Sequence, residues 1–360
     1  MDNRIKAGEN TGVVRKHHRV TLKAVAEHVG LTPGTVSAVL NNSPAASSVP
    51  QRTKTRILDA ARKLNYRPNF FARSLRVKRT FTVGVIAQIG DPYGAMVISG
   101  IEQHLRQHGF FFLTVAHPHD EELLDTYSHL LLERGVEGFI TVDAPISQPV
   151  PLPVVAVAGH RRLEGVTNIV LDHRRAAHLA LRHLVELGHS EIAVMKGPPD
   201  SSDSVERWNS VCDVSRELGV RVRPGLTIQI EGEAGMPGLG YPFTKQLLAE
   251  NRSFTALLAF NDSSAIGAIR AINEAGLRVP EDISVVGFDD IQSAAYSNPP
   301  LTTIRQPLLK MGEIAARTLL GRIDNPESYL PELLIEPELI VRKSTAKPAA
   351  QVRGNSSRQD

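Results

Sequence analysis

Two groups of residues in this chain have the types and spacing to do chemistry. The first ends a series of short apolar runs: Asp91 after TVGVIAQI, Asp143 in GVEGFITVD, Asn261 with Asp262 in TALLAFND, and Asp289 with Asp290 in ISVVGFDD. Carboxylates and amides of this kind fix the hydroxyls and charged groups of small molecules, and in open parallel sheets ligands bind beyond the carboxyl ends of the strands. The second group lies near the N-terminus, in VTLKAVAEHVGLTPGTVSAVLN, where Thr21 and Thr32 are placed to cap helices. Residues 1–79 hold 16 Lys and Arg against 4 Asp and Glu, a balance of +12; the remainder holds 25 against 34, a balance of −9. A basic head gains affinity from phosphate contacts and counterion release, whereas an acidic body is repelled by nucleic acid.

Other chemistry finds no support. His117 with His119, and the trio His173, His178 and His183, match no metal-ligand spacing and read as solvated or capping side chains. Cys212 is the only cysteine, which excludes intramolecular disulfides and Cys-rich zinc sites; it reads as a plain core thiol. Gly235, Gly238 and Gly240 belong to no strand-to-helix GxGxxG pattern, and no Ser/His/Asp set or catalytic carboxylate pair can be assembled. No catalysis, metal or cofactor is therefore expected. No run approaches the roughly 18 apolar residues of a membrane span. The first twenty residues have no apolar signal region, so a cytoplasmic protein without membrane contact is expected.

In the head, Thr21 caps a helix that Gly30 stops, and Thr32 caps a second with Pro33 at its first position. Val36, Val39 and Leu40 form one apolar stripe against Val25 and Leu31. Two short helices joined by a tight turn make a helix-turn-helix, whose second helix enters the major groove of DNA. Asn42 to Ser48 reads as a flexible loop, and a third helix runs from about Pro50 to Leu64 on Ile57, Ala60, Ala61 and Leu64. Pro68 then breaks the chain, and Asn69 can cap a helix of about two turns, too short to hold in water without a partner. From Phe81, apolar strands alternate with amphipathic helices at Ile98–His108, Glu121–Arg134, Arg174–Leu187, Glu206–Glu217, Tyr241–Ala249 and Ser263–Ala275. That alternation means parallel sheets covered on both faces. About 260 residues exceed what one sheet needs, so two α/β lobes with a cleft are expected.

The head VTLKAVAEHVGLTPGTVSAVLN, the link LNYRPNFFARSLR and the segment NDSSAIGAIRAINEAGLRVPEDISVVGFDD…PPLTTIRQP together resemble the lactose/galactose repressor family of bacterial transcription regulators. The resemblance, from about Val20 to Arg342, implies a helix-turn-helix headpiece, a hinge helix and a two-lobed core like the periplasmic sugar-binding proteins. It further implies a homodimer or tetramer on double-stranded palindromic operator DNA and a small-molecule effector, a sugar or nucleobase, in the cleft. The implied division is an arm over 1–19, a DNA-binding domain over 20–67, a hinge over 68–79, a core over 80–342 and a disordered tail over 343–360. Within the core, 80–172 and 308–330 form the N-lobe, and 173–305 and 331–342 the C-lobe.

Carried over by motif, Thr32, Pro33, Gly34 and Ala38 stand at base-reading positions, with Thr21 and Leu22 at the start of the first helix. Thr35, Ser37 and Asn41 stand where phosphates are held. Pro33, Gly34 and Ala38 replace longer polar residues, so hydrogen-bond readout from this helix should be sparse, with only a methyl contact from Ala38. Asn69, Ala72, Arg73 and Leu75 match the hinge helix, and Leu75 is the matching minor-groove wedge, core packing being its alternative. Arg207, Asn261, Asp289 and Gln306 match effector-contacting positions, with Asp91 and Tyr93 facing them from the N-lobe. Trp208 could stack on a sugar face or pack in the core. A repressor is the first reading; an activator, or a regulator answering to a protein co-regulator, shares the same architecture. A solute-binding protein would need a signal peptide that the sequence does not show.

Overall fold

The structure, a computed structural model, describes residues 20–67, 74–75, 77–116, 121–144, 150–160, 162–199, 201–230, 240–250 and 253–349. The chain divides into two compact units, Met1–Arg79 and Thr80–Asp360.

In the first unit, helix α1 (Leu22–Val29) starts on Thr21, whose side chain accepts from Ala24 N, and stops at Gly30 with φ 62°. That left-handed turn suits a residue without a β-carbon. Helix α2 (Pro33–Leu40) starts on Thr32, whose hydroxyl accepts from Thr35 N at 3.3 Å. Helix α3 (Gln51–Lys63) closes the domain, burying Ile57, Ala60 and Ala61 against Val25, Ala26, Val36 and Val39. The segment before it is not a loose loop. Pro44–Ser48 forms a 3-10 turn, Ser43 N bonds Ala38 O at 3.0 Å, and Ala46 is buried in the same core. Small residues let this turn pack where bulkier ones would hold it off.

Among the described residues, the second unit has two six-stranded sheets. The N-lobe sheet, ordered β11-β5-β4-β3-β1-β2, is parallel throughout, with β1 Thr82–Ala87, β2 Phe111–Ala116, β3 Phe139–Val142, β4 Val154–Val157, β5 Val166–Leu171 and β11 Glu332–Ile335. The C-lobe sheet, ordered β12-β10-β9-β8-β6-β7, contains β6 Ile192–Lys196, β7 Thr227–Gln229, β8 Ala256–Leu258, β9 Ser284–Asp289, β10 Thr302–Arg305 and β12 Glu338–Ile340, of which only β12 runs antiparallel. Strands β1, β3, β4, β5 and β9 are buried along their whole length, as sheets covered on both faces require.

Helices α4 (Pro92–Gln107), α5 (Glu121–Glu133) and α11 (Leu308–Asp324) belong with the first sheet. Helices α6 (His173–Leu187), α7 (Ser202–Glu217), α8 (Gly240–Glu250), α9 (Asp262–Glu274) and α10 (Gln292–Tyr296) belong with the second. Helices α4 and α11 approach so closely that a β-carbon on Gly100 would meet Leu309 O at 2.0 Å, and one on Gly312 would meet Val97 O at 2.0 Å. Glycine is required at that crossing.

Two boundaries differ from the sequence reading. Residues 332–335 pair with β5 and so belong to the N-lobe, because Leu333 and Ile335 complete its apolar cover; the chain therefore crosses between lobes at 172, 306–307 and 336–337. Residues 343–349 are no loose tail. Ser344 is fully buried, donating to Val285 O at 2.6 Å and accepting from Thr302 N at 2.8 Å, and Thr345 and Ala346 bond His183 and His189. The remaining tail residues, 350–360, and the arm, 1–19, lie outside the described residues.

Candidate functional site

At the head, Thr21, Thr32, Pro33 and Gly34 are exposed, Leu22, Thr35, Ser37 and Asn41 half-buried. Thr35 and Thr32 share a hydroxyl contact at 3.0 Å, and the Asn41 amide folds back onto Ser37 O at 2.8 Å. The N-terminal end of α2 thus shows solvent a short, nearly featureless surface suited to close backbone approach, its Thr35 and Val36 N–H groups already taken by Thr32, and Pro33 having none. Ala38 departs from expectation: it is buried in the headpiece core, next to the 3-10 turn that its own carbonyl helps to hold. Its methyl group packs inward and does not present the contact to a base that the sequence suggests. Asn69, Ala72 and Arg73 lie outside the described residues. Leu75 is helical with Ser74 and 83% exposed, so among the described residues it packs in no core.

In the second unit, the ends of β1, β3, β4 and β9 converge with the start of α7. Asp91 caps α4, its carboxylate accepting from Tyr93 N at 3.3 Å, and burial raises its pKa. Asp143, just past β3, accepts from Ser201 Oγ at 3.2 Å; burial and then the nearby Asp203 push it up to about 8. Burial, with the fields of Asp203, Asp143 and Asp289, also lifts Tyr93 well above its usual range. These mutual fields place Asp91, Tyr93 and Asp143 of the N-lobe opposite Asp203, Arg207 and Asp289 of the C-lobe. Ser201 to Asp143 and Ser202 Oγ to Ala158 O at 3.3 Å are direct bonds between the lobes.

Arg207 is 7% exposed. Its Nη2 donates to Asp203 Oδ2 and its Nη1 to Phe260 O at 2.5 Å, while its Cζ lies 4.6 Å from the Phe260 ring centre and 3.6 Å from that of Phe288. A planar cation between two rings, with a carboxylate at its edge, is fixed in orientation. Asp203 is the residue that sequence reading missed. Its Oδ1 also accepts from His173 Nε2 at 2.8 Å and His160 Nε2 at 3.2 Å. Against the desolvation that would raise it, His173 and Arg207 hold this carboxyl well below the usual range, so it stays ionised. No periodicity reveals the group, because its partners lie 43 and 30 residues away.

Asn261 caps α9, its Oδ1 accepting from Ser264 N at 2.8 Å and Ser264 Oγ at 2.7 Å. Asp289 accepts from Gln306 Nε2 at 2.7 Å, and burial raises its pKa well above the usual value. Asp143, Ala158, Asp289 and Asp290 all take positive φ, of 46°, 58°, 108° and 56°. Residues with a β-carbon pay for that conformation, and such cost concentrates at binding sites. Asp262 and Asp290 serve the scaffold: Asp262 holds Thr303 Oγ1 and Ile291 N, and Asp290 pairs with Arg305 and Arg342. Trp208 packs against the C-lobe core with Lys196 Nζ 5.1 Å above its ring, and with Arg207 and Phe260 it lines one small cavity.

Residues 21–69 match the model of bacterial regulatory proteins of the lacI family, and residues 181–345 match a periplasmic binding protein-like domain. The HTH-type transcriptional repressor PurR of Haemophilus influenzae is 32% identical over 339 residues, covering 90% of this chain and 98% of the relative. The PurR of Pasteurella multocida is 31% identical, over 90% and 98%. Among solved structures, the lac repressor dimer bound to operator and the anti-inducer ONPF superposes with a TM-score of 0.82 at 28% identity, over 91% of this chain and 99% of that one. The transcriptional regulator CelR–cellobiose complex gives 0.65 at 29%, over 91% and 100%. Likeness over nearly the whole length joins the headpiece and the two-lobed core in one lineage: the chain belongs to the lacI family of bacterial regulatory proteins and is a DNA-binding regulator of transcription.

Proposed function

We propose that this regulator is a repressor that binds palindromic operator DNA as a homodimer and answers to a small effector between the lobes. The observation that carries the reading is the convergence of Asp91, Tyr93 and Asp143 of one lobe with Asp203, Arg207 and Asp289 of the other. A ligand touching both sets favours one lobe arrangement over another, and differential affinity is what shifts a population. Arg207, Asp289, Gln306, Asn261, Asp91 and Tyr93 are the proposed effector contacts, and hydroxyl-rich sugars suit their carboxylates and amides. At the head, Thr32, Pro33 and Gly34 approach the bases, Thr21, Leu22, Thr35, Ser37 and Asn41 the backbone, and Leu75, with Asn69, Ala72 and Arg73, the minor groove. Strand β2 is a sheet edge with Phe111 69% exposed and Leu113 40% exposed, an apolar face that fits pairing of two copies.

The relatives are named as repressors, which fits a regulator without catalysis. Among the described residues no helix is long and apolar enough to cross a membrane, which fits work in the cytoplasm. Selection of the full-length chain on random duplex DNA tests the proposal. An enriched inverted repeat, bound by two chains, is expected; enrichment of a single asymmetric site bound by one chain would refute it.

A further inference from the structure

Asp203 fixes Arg207 through one carboxylate oxygen, but the two histidines on its other oxygen have no role so far, and the geometry of the His160–Asp203–His173 group is that of a metal site. One ring nitrogen of each histidine and one carboxylate oxygen lie within 4.8 Å of one another. Both nitrogens converge on the same atom, Asp203 Oδ1, at 3.2 and 2.8 Å, while Oδ2 is left to Arg207. In a tetrahedral ion with bonds of about 2.0–2.2 Å, neighbouring ligand atoms stand about 3.3–3.5 Å apart. Small outward movements of the rings would make room for an ion where the two N–H protons now lie.

Charge supports the same conclusion. Asp91, Asp143, Asp203 and Asp289 share the region with Arg207 as counter-charge. A dication would offset carboxylates that burial now penalises. Two neutral imidazoles and one carboxylate suit Zn²⁺ and its borderline neighbours rather than Mg²⁺ or Ca²⁺, which prefer oxygen. The sequence hides the set because its members stand 13 and 30 residues apart on three different elements.

We propose that His160, His173 and Asp203 form a site for a divalent transition metal, Zn²⁺ or a close relative, at the junction of the lobes. His160 follows β4 of the N-lobe, His173 opens α6 just past a crossing, and Asp203 lies in the first turn of α7 in the C-lobe. One ion would tie these three elements together, with a fourth position left for a solvent or effector oxygen. Metal binding is then a second input to the balance between lobe arrangements, and it stands whether or not the effector reading does.

The test uses full-length protein without a polyhistidine tag, stripped with a chelator and titrated with Co²⁺ and then Zn²⁺. One Co²⁺ per chain is expected, with the strong visible absorption of a low-coordinate ion that Zn²⁺ abolishes. His160→Ala, at a half-buried residue, and His173→Ala should each weaken binding at least about 10-fold, the loss that even an outer partner causes. X-ray absorption of the wild-type Zn²⁺ complex covers the case of a variant that does not fold, and should show two imidazoles and oxygen. Equal Co²⁺ binding by wild type and a folded His160→Ala variant, no binding by wild type, or a shell without two imidazoles would each overturn the proposal.

Discussion

In the headpiece, Thr32, Pro33 and Gly34 are exposed, and the bonds that place them span three residues. In the core, Arg207, Asn261 and Asp289 are at most 7% exposed, and the bonds of Arg207 and Asp289 reach Phe260 and Gln306, 53 and 17 residues away. One surface is made ready by local capping and waits for a large polyanion. The other is a buried network in which Arg207 is set against Asp203 while burial raises the pKa of Asp91, Asp143 and Asp289. A headpiece side chain can therefore be lost cheaply in stability and dearly in binding, whereas a core side chain carries both costs together.

The largest expected effect tests whether the division of labour is real. Deleting residues 1–79 should abolish operator binding in gel shifts while the rest stays folded by circular dichroism, because the deleted part carries the +12 balance and the remainder −9. Specific binding by the truncated chain would break the comparison.

Next in size is Asp203→Ala, which leaves Arg207 buried between two phenyl rings without its carboxylate. Removing one partner of a buried pair costs about 3–5 kcal/mol. Urea unfolding of the core should register it, and a loss below about 1 kcal/mol, the surface-pair range, would mean that the pair is a surface one in effect. Thr32→Ala, by contrast, removes an exposed cap worth about 1 kcal/mol. Amide exchange over α1–α3 should quicken by a matching factor while core exchange stays unchanged.

A further test is a pH slope. Asp143, raised to about 8 when folded against 3.8 as a free side chain, holds a proton in the folded state that the unfolded state has lost. Between those values stability falls as pH rises, and the fall is complete above the folded pKa. Asp143→Asn should flatten the Tm-versus-pH curve from about pH 4 to 8 and gain most on wild type at the alkaline end. An unchanged slope would place the proton elsewhere.

The same contrast explains what could be read in the sequence. Thr21, Gly30, Thr32 and Pro33 act on their immediate neighbours, so the headpiece helices were legible to the residue. Helices α4 and α7 begin at Pro92 and Ser202, whereas apolar periodicity alone starts them at Ile98 and Glu206, because their first turns carry Pro, Gly, Ser and Asp. Strands β11 and β12 escaped notice because they are short and half exposed. Ala38 was misplaced because its burial depends on a turn formed by Pro44–Ser48. Asp203 needed the fold itself, since its two histidines come from different elements.

The central claim is that the core network controls the exposed headpiece. Its most direct test is fluorescence anisotropy of full-length protein on the selected operator, with a panel of sugars and nucleobases first ranked by thermal shift. A compound that stabilises the wild type should change operator affinity by about 5–150-fold, a coupling of about 1–3 kcal/mol, and Asp289→Ala should remove that change while keeping affinity without the compound. A compound that binds tightly and is lost on Asp289→Ala, yet leaves operator affinity unchanged, would contradict the account.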